Sequence, residues 1–304
     1  EMCIRDRVTL VKHKFKNIII ELTVTEEVYN GMKKFTEAEI TVLKVLHENL
    51  VKRLNENIIL NFSGGIDSLA AKYIMPNNTK LVAIDFERGY VREKNFFKRF
   101  NPYVLQTNVR QELNVDRNSW EFMGIGAILY GDYLTAGYHV FGTILEASKA
   151  NFSYQNNSGS NKTYPFICAG LKDIRYTNGL TEVGTSIIAS YYFPNEVADS
   201  LKSLSYPGSE KRYRKEVLMD IVANKFNRNL LFEKTNPPQN NLVKFGTRIA
   251  LDFLCLYIIK NAGLEIAQNT MCEIPDEAIK ISENLRLNFY ERLNCNCLLY
   301  TSDA

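Results

Sequence analysis

Asn57-Ile58-Ile59-Leu60-Asn61-Phe62-Ser63-Gly64-Gly65-Ile66-Asp67-Ser68 is the stretch from which the fold is read. Ile58-Ile59-Leu60 is a short continuous apolar run, the mark of a strand buried on both faces. A Ser/Gly turn follows it, and Ser68 to Met75 reads as a helix that Pro76 stops. Outward from there, strand and helix alternate. Leu81 to Ile84 reads as a second strand and Val91 to Phe100 as a helix. Tyr103 to Leu105 is a third strand, Trp120 to Ala136 a long apolar helix, and His139 to Phe141 a fourth strand ending at Gly142-Thr143. Buried strands joined by helices predict an α/β fold with a doubly wound parallel sheet.

The turn between the first strand and its helix has a chemistry of its own. A strand-to-helix turn aims backbone N–H groups and the positive end of the helix dipole at one point. Gly64 and Gly65 allow close approach of a phosphate and positive φ. Ser63 and Ser68 offer hydroxyl donors. Asp67 is out of place beside phosphates unless a divalent cation lies between, and magnesium binds carboxylate and phosphate oxygens together. No Gly-Lys-Ser/Thr follows, so the Walker A pattern is absent.

Ser63-Gly64-Gly65-Ile66-Asp67-Ser68 resembles the PP-loop of the N-type ATP pyrophosphatases, a family with the HUP-type α/β fold that includes asparagine synthetases, tRNA thiolases and 7-cyano-7-deazaguanine synthases. All six positions match a variant of that loop. The resemblance implies ATP and Mg2+ as ligands, with Phe62, Ser63, Gly64, Gly65, Ile66, Asp67 and Ser68 around the pyrophosphate and Asp67 on the metal. It further implies that Ala83, Ile84 and Asp85, ending the second strand, hold adenine, and that Gly142 and Thr143 lie near the ribose and α-phosphate. Gly179-Leu180-Thr181-Glu182-Val183 is similar to a family segment that carries a lysine, but that lysine is missing here, as are the four zinc-binding cysteines of the deazaguanine enzymes.

A compensating cation is sought downstream. In Lys211-Arg212-Tyr213-Arg214-Lys215, helical spacing puts Lys211, Arg214 and Lys215 on one face while Arg212 points elsewhere. Lys211 or Lys215 is therefore expected to meet the phosphates, joining Asp67 and Ser68 as the catalytic set. A solvated helix face is the plainer reading of the same run. His139 reads as a core histidine. His13 and His47 sit on other elements with no nucleophile motif beside them, so a hydrolase triad has no support.

Flanking this ATP-binding domain, taken as residues 57–235, two smaller parts are expected. Residues 8–56 read as a β-plus-helix lobe. Its strands fall between Val8 and Val28, and its helix is opened by a Thr36/Glu39 capping box and carries Ile40, Leu43, Leu46, Leu50 and Leu54. Residues 236–296 read as a helical appendage, with helices over Val243 to Lys260 and Asp276 to Leu293 behind an Asn/Pro linker at 236–241. Between them, helices are expected at Thr181 to Tyr192, Asn195 to Leu204 and Glu210 to Phe226, and a polar loop at Asn151 to Lys162. Residues 1–7 and 297–304 resemble translated sequencing-adapter DNA and are set aside from fold reasoning.

The chain has 304 residues, of which 45% are hydrophobic and 23% charged, an ordinary globular composition. Its net charge of +3 is too small to argue for nucleic acid. No apolar run approaches the roughly 18 residues of a spanning helix. Cys168, Cys255, Cys272 and Cys295 are scattered, and read as reduced thiols of a cytoplasmic protein. The function expected is ATP-dependent adenylation of a small-molecule acceptor, with ammonia or a sulfur donor as the second nucleophile. A non-catalytic ATP-binding module and a tRNA thiolase stand as alternatives.

Overall fold

The structure, a computed structural model, describes residues 8–47, 55–87, 90–112, 120–152, 164–174, 176–239 and 242–291. The chain forms two compact units that interleave along the sequence. One comprises Glu1–Ser63, Pro76–Phe141 and Asn156–Ile174; the other comprises Gly64–Met75, Gly142–Gln155 and Arg175–Ala304. The boundary runs through the Ser/Gly turn itself.

In chain order, the longer elements begin with β1 (Asn17–Thr25), α1 (Glu26–Thr36), β2 (Glu39–Leu46), β3 (Asn57–Asn61) and α2 (Ile66–Ile74). Next come β4 (Lys80–Asp85), α3 (Val91–Phe97), β5 (Tyr103–Gln106), α4 (Ile125–Tyr130), β6 (Ala136–Phe141) and β7 (Lys172–Ile174). Helices α5 (Glu182–Tyr192), α6 (Pro194–Leu204), α7 (Glu210–Lys225), α8 (Ile249–Ala262), α9 (Asp276–Glu283) and α10 (Leu287–Glu291) follow.

The first unit is built on a five-stranded sheet in the order β5-β4-β3-β6-β7, and every pairing in it is parallel. The chain moves outward from β3 to β4 and β5, then returns to pair β6 on the other side of β3. That reversal is the topological switch of an open α/β sheet, at whose carboxyl edge ligands bind. Asn61 pairs with Phe141 at this edge. Successive residues Ile59 and Leu60 are both fully buried, as a strand covered on two faces requires. Ile59 and Val82 pack with Ala127 and Ile128 of α4, Phe166 and Leu171. Gly126 lets α4 lie close on β4, because a Cβ there would come within 2.6 Å of Val82 Cγ1.

Several expectations are corrected here. Thr36 does not open a helix but closes α1: its hydroxyl donates to Met32 O at 2.9 Å, and Glu37 turns left-handed at φ 58°. Glu39–Leu46 is a strand, β2, paired in parallel with β1. The β-branched residues Ile40, Thr41 and Val42 explain the outcome, with Ile40 and Val42 turned onto the core of Val24, Val28 and Phe35. Leu50 and Leu54 of the expected helix lie outside the described residues. Only Asn17–Thr25 of the Val8-to-Val28 region is a strand; residues 8–14 are helical and Val28 lies in α1. The long helix expected at Trp120 to Ala136 is a 3-10 turn, Trp120–Gly124, followed by α4 alone. It ends near Gly131, and Ala136 N–H returns to Gly131 O at 2.8 Å as β6 begins.

The second unit is mainly helical among its described residues, with one short pair of strands. Val183 and Ile187 of α5, Leu218 and Val222 of α7, and Leu254 and Tyr257 of α8 make its main core. Ala70 and Ile74 of α2 pack against Leu180 and Ile188. The helix expected from Val243 starts only at Ile249, after Gly246 at φ 85°, and Val243–Lys244 pairs instead with Met271–Cys272. The helix expected over Asp276 to Leu293 is split into α9 and α10, with Leu293 outside the described residues. The linker segment is tied down near Thr235, whose N–H and hydroxyl donate to Glu216 Oε2 at 2.8 and 2.6 Å. Asn240, Asn241 and the polar loop beyond Phe152, residues 153–162, lie outside the described residues. So do both adapter-like ends and Cys295. Among the described residues no helix is long and apolar enough to cross a membrane.

Candidate functional site

The start of α2 is a shaped turn. Gly64 sits at φ 78°, where a side chain is strained, and Gly65 caps the helix in an extended conformation. Ser200 of α6 donates to Gly64 O at 2.7 Å, and Ser68 donates to Gly65 O at 2.9 Å. The Ser68 hydroxyl thus serves the turn itself. Gly142 closes against the same turn: a Cβ there would stand 2.7 Å from both Ser68 N and Ser68 Cα, so only glycine fits without a shift of backbone. Next to it, Thr143 N–H donates to Thr177 Oγ1 at 3.1 Å and its hydroxyl to Asn178. Leu145 N–H reaches Leu180 O at 2.7 Å, tying this segment to the approach of α5.

Asp67 is the focus of a charged cluster. Thr185 of α5 donates to its Oδ1 at 2.6 Å, and Lys215 of α7 lies 3.4 Å from its Oδ2. The same ammonium lies 2.8 Å from Glu182 Oε1, which Arg214 also approaches at 3.4 Å. Arg214 is shared with Glu210. Asp67 keeps 28% of its side chain exposed, whereas Lys215 and Glu182 keep 7% and 5%. The cluster is therefore buried at its base and open at Asp67. Burial pushes the Glu182 carboxyl up, but Lys215 and Arg214 outweigh it and hold it below the usual carboxylate range. Burial likewise pushes the Lys215 ammonium down, and Asp67 and Glu182 more than reverse it.

Beneath them lies Glu146, 1% exposed, whose Oε1 accepts the Glu182 N–H at 3.1 Å. Its Oε2 is buried with no hydrogen-bond partner. Burial first, then the charges of Glu182 and Asp67, push this carboxyl up to about 8 against the pull of two backbone N–H groups.

Of the residues sought from sequence, Gly64, Gly65, Ile66, Asp67, Ser68, Gly142, Thr143 and Lys215 are gathered here, all within the second unit. Lys211 is exposed and makes no ion pair with Asp67, although its charge reaches Glu182. Arg212 does point elsewhere, to Glu216 at 2.7 Å. The run is no solvated face: Arg212, Arg214 and Lys215 are all buried. The others belong to the first unit. Phe62 is buried and donates its N–H to Val82 O at 2.7 Å; Ser63 is the unit's last residue before the turn. Ala83 and Ile84 pair with Val104 and Leu105 in the sheet. Asp85 is buried against Lys94 of α3 and accepts the Glu87 N–H at 2.9 Å. His139 is fully buried, its ring stacked on Phe166 at 3.9 Å.

Thr185, Glu182, Arg214 and Glu146 were not singled out as site residues by sequence reasoning. Signals existed for three of them: Glu182 lies in the family-like segment at 179–183, Arg214 shares the helical face of Lys215, and Thr181, the N-cap of α5, marks where Glu182 and Thr185 begin a helix. Among the described residues no three His, Cys, Asp or Glu side chains are grouped to hold a metal ion. The donor set fits the mode in which magnesium takes one carboxylate and completes its shell with phosphate and water oxygens, Asp67 being that carboxylate. Comparison with known protein families, with curated proteins and with solved structures finds no match for this chain.

Proposed function

We propose that the chain is an ATP-dependent adenylating enzyme whose Gly64–Ser68 turn and Lys215 receive the nucleotide phosphates. The observation that carries this is the buried Lys215 ammonium, 3.4 Å from Asp67 on a turn whose sequence resembles a PP-loop. The family lysine missing beside Thr181 and Glu182 has its charge replaced from α7. In the reaction, an acceptor carboxylate or carbonyl oxygen attacks the α-phosphorus, and the bond to the β-phosphate oxygen breaks. Pyrophosphate departs with the electron pair, and a nitrogen or sulfur nucleophile later displaces AMP. No covalent nucleophile from the protein is needed. The turn positions the phosphates, and Lys215 offsets the negative charge that builds on the leaving group. Magnesium, when bound, would neutralise phosphate charge next to Asp67.

A second reading, a nucleotide-binding module without turnover, is favoured by one feature. Lys215 is already engaged by Glu182 at 2.8 Å, which holds it back from a ligand. A magnesium-dependent assay of pyrophosphate release, run with calorimetric ATP binding, separates the two. Release that is lost in Lys215→Ala and retained in Lys211→Ala supports the enzyme. ATP binding without release in the wild type supports the module, and absence of ATP binding overturns both.

A further inference from the structure

Glu146, like Glu182, is a buried carboxyl, and its surroundings decide its charge. Oε1 accepts the Glu182 N–H and Oε2 has no hydrogen-bond partner, while the backbone N–H of Glu146 itself also acts on the carboxyl. The charged groups that act on it are Asp67 from α2 and Glu182 from α5, and Tyr290 from α10 faces it, its own ionisation opposed by the Glu146 charge; Arg214 and Lys215 of α7 reach Glu182. Lys215, Arg214 and, more weakly, Lys211 act on Glu182, and Arg214 also serves Glu210. Asp67 and Glu182 take up Lys215 between them. An ionised Glu146 would be a desolvated charge with an unsatisfied oxygen and no cation of its own, which is strongly disfavoured. A neutral carboxyl costs far less.

We propose that Glu146 serves the α2 turn as a neutral carboxylic acid, a proton-carrying positioning residue that keeps the Lys215 end of the site attractive to an anion. Its Oε1 fixes the start of α5, and with it Glu182 and Thr185, the two α5 side chains that reach Lys215 and Asp67. Its proton keeps a third negative charge away from the place where phosphates would bind. Loss of that proton sets Glu146 against Glu182 and Asp67 and turns the local field against an anionic ligand. The proposal rests on the nucleotide reading of the turn, because the field matters only if an anion binds there.

Two measurements on the full chain test it, with inorganic pyrophosphate as the probe. Carbon-13 spectra of glutamate-labelled protein should show one carboxyl carbon titrating near 8, and Glu146→Gln should remove that signal. Calorimetric pyrophosphate affinity should fall about tenfold or more as pH rises through that value in the wild type. In Glu146→Gln, which keeps an acceptor for the Glu182 N–H, the fall should be much shallower. Should Glu146→Gln not fold, the wild-type titration decides alone by the presence or absence of that signal. Pyrophosphate binding with every glutamate titrating in the ordinary range, or with parallel losses in both proteins, would overturn this proposal only. No pyrophosphate binding at any pH would overturn the nucleotide reading, and this proposal with it.

Discussion

The ammonium of Lys215 stands 3.4 Å from Asp67 Oδ2, although 148 residues of chain separate them. Neither residue explains its environment alone. A carboxylate at a helix N-terminus is electrostatically ordinary, and a lysine in the first turns of a helix is normally solvated. Together with Glu182 they form a charged junction between α2, α5 and α7, more costly to break than an exposed pair because little water reaches its base.

Removing the cation should therefore be expensive. Lys215→Met leaves Glu182 buried with Arg214 as its remaining partner, and is expected to cost about 3–5 kcal/mol of stability, the usual range for breaking a buried pair from one side. Exposed Lys211→Ala should stay within about 0.5 kcal/mol. Urea unfolding of both variants checks the contrast, and equal costs would deny Lys215 its structural part.

Asp67→Asn should separate chemistry from fold. Lys215 keeps Glu182, and the asparagine oxygen still accepts from Thr185, so the melting temperature should change little. Magnesium-dependent pyrophosphate release should disappear. Wild-type release from this variant would remove Asp67 from any metal role.

Gly142→Ala tests the tightest approach at the turn. The added Cβ meets backbone atoms of Ser68 at 2.7 Å, so no side-chain rotation relieves it. A loss of about 1–3 kcal/mol is expected, typical of overpacking. ATP affinity should fall with it, since the backbone that shifts is that of the α2 start. Thermal melts with calorimetry give both values.

Stability should fall as pH rises through the Glu146 window. Its carboxyl moves from an unperturbed 4.5 to about 8 in the folded chain. Between those values the native state holds a proton that the unfolded state has released, so raising pH favours unfolding, by up to about 1.4 kcal/mol per pH unit from this group. Glu182 acts at the other end: its carboxyl is depressed, so its contribution is lost only as pH falls below the ordinary range. Glu146→Gln should flatten the slope between about pH 5 and 8. A wild-type slope unchanged by the substitution would show that other groups carry it.

The inner strands were legible because buried parallel strands announce themselves: Ile58-Ile59-Leu60 and Leu81-Val82-Ala83-Ile84 have no polar interruption. β7 was not, since Lys172-Asp173-Ile174 carries one apolar residue and owes its existence to pairing with β6. β2 was misread because Ile40, Leu43 and Leu46 satisfy a helical period while Ile40 and Val42 satisfy a strand's, and only packing on α1 decides between them. At the site, the turn was legible because its logic is local. The basic run was visible as well, and its helical phase singled out Lys215 with Lys211, but no sequence rule gives the depth at which that face lies. Glu146 carried no signal at all, since its role depends on a backbone N–H 36 residues away.

The interleaving of the two units has a consequence for how the chain is made. α2 leaves the ribosome well before Thr185, which holds Asp67 and lies 118 residues further on. At ordinary elongation rates that is a delay on the order of ten seconds. During it, Ala70 and Ile74 have no Leu180 or Ile188 to pack against, because that part of the chain does not yet exist. The nascent chain thus displays an orphaned apolar helix while the sheet strands on either side of it are already available to pair. Assembly of the second unit must wait for α5 to α7, and a chain stalled before α5 would offer α2 as a ready substrate for chaperones or proteases.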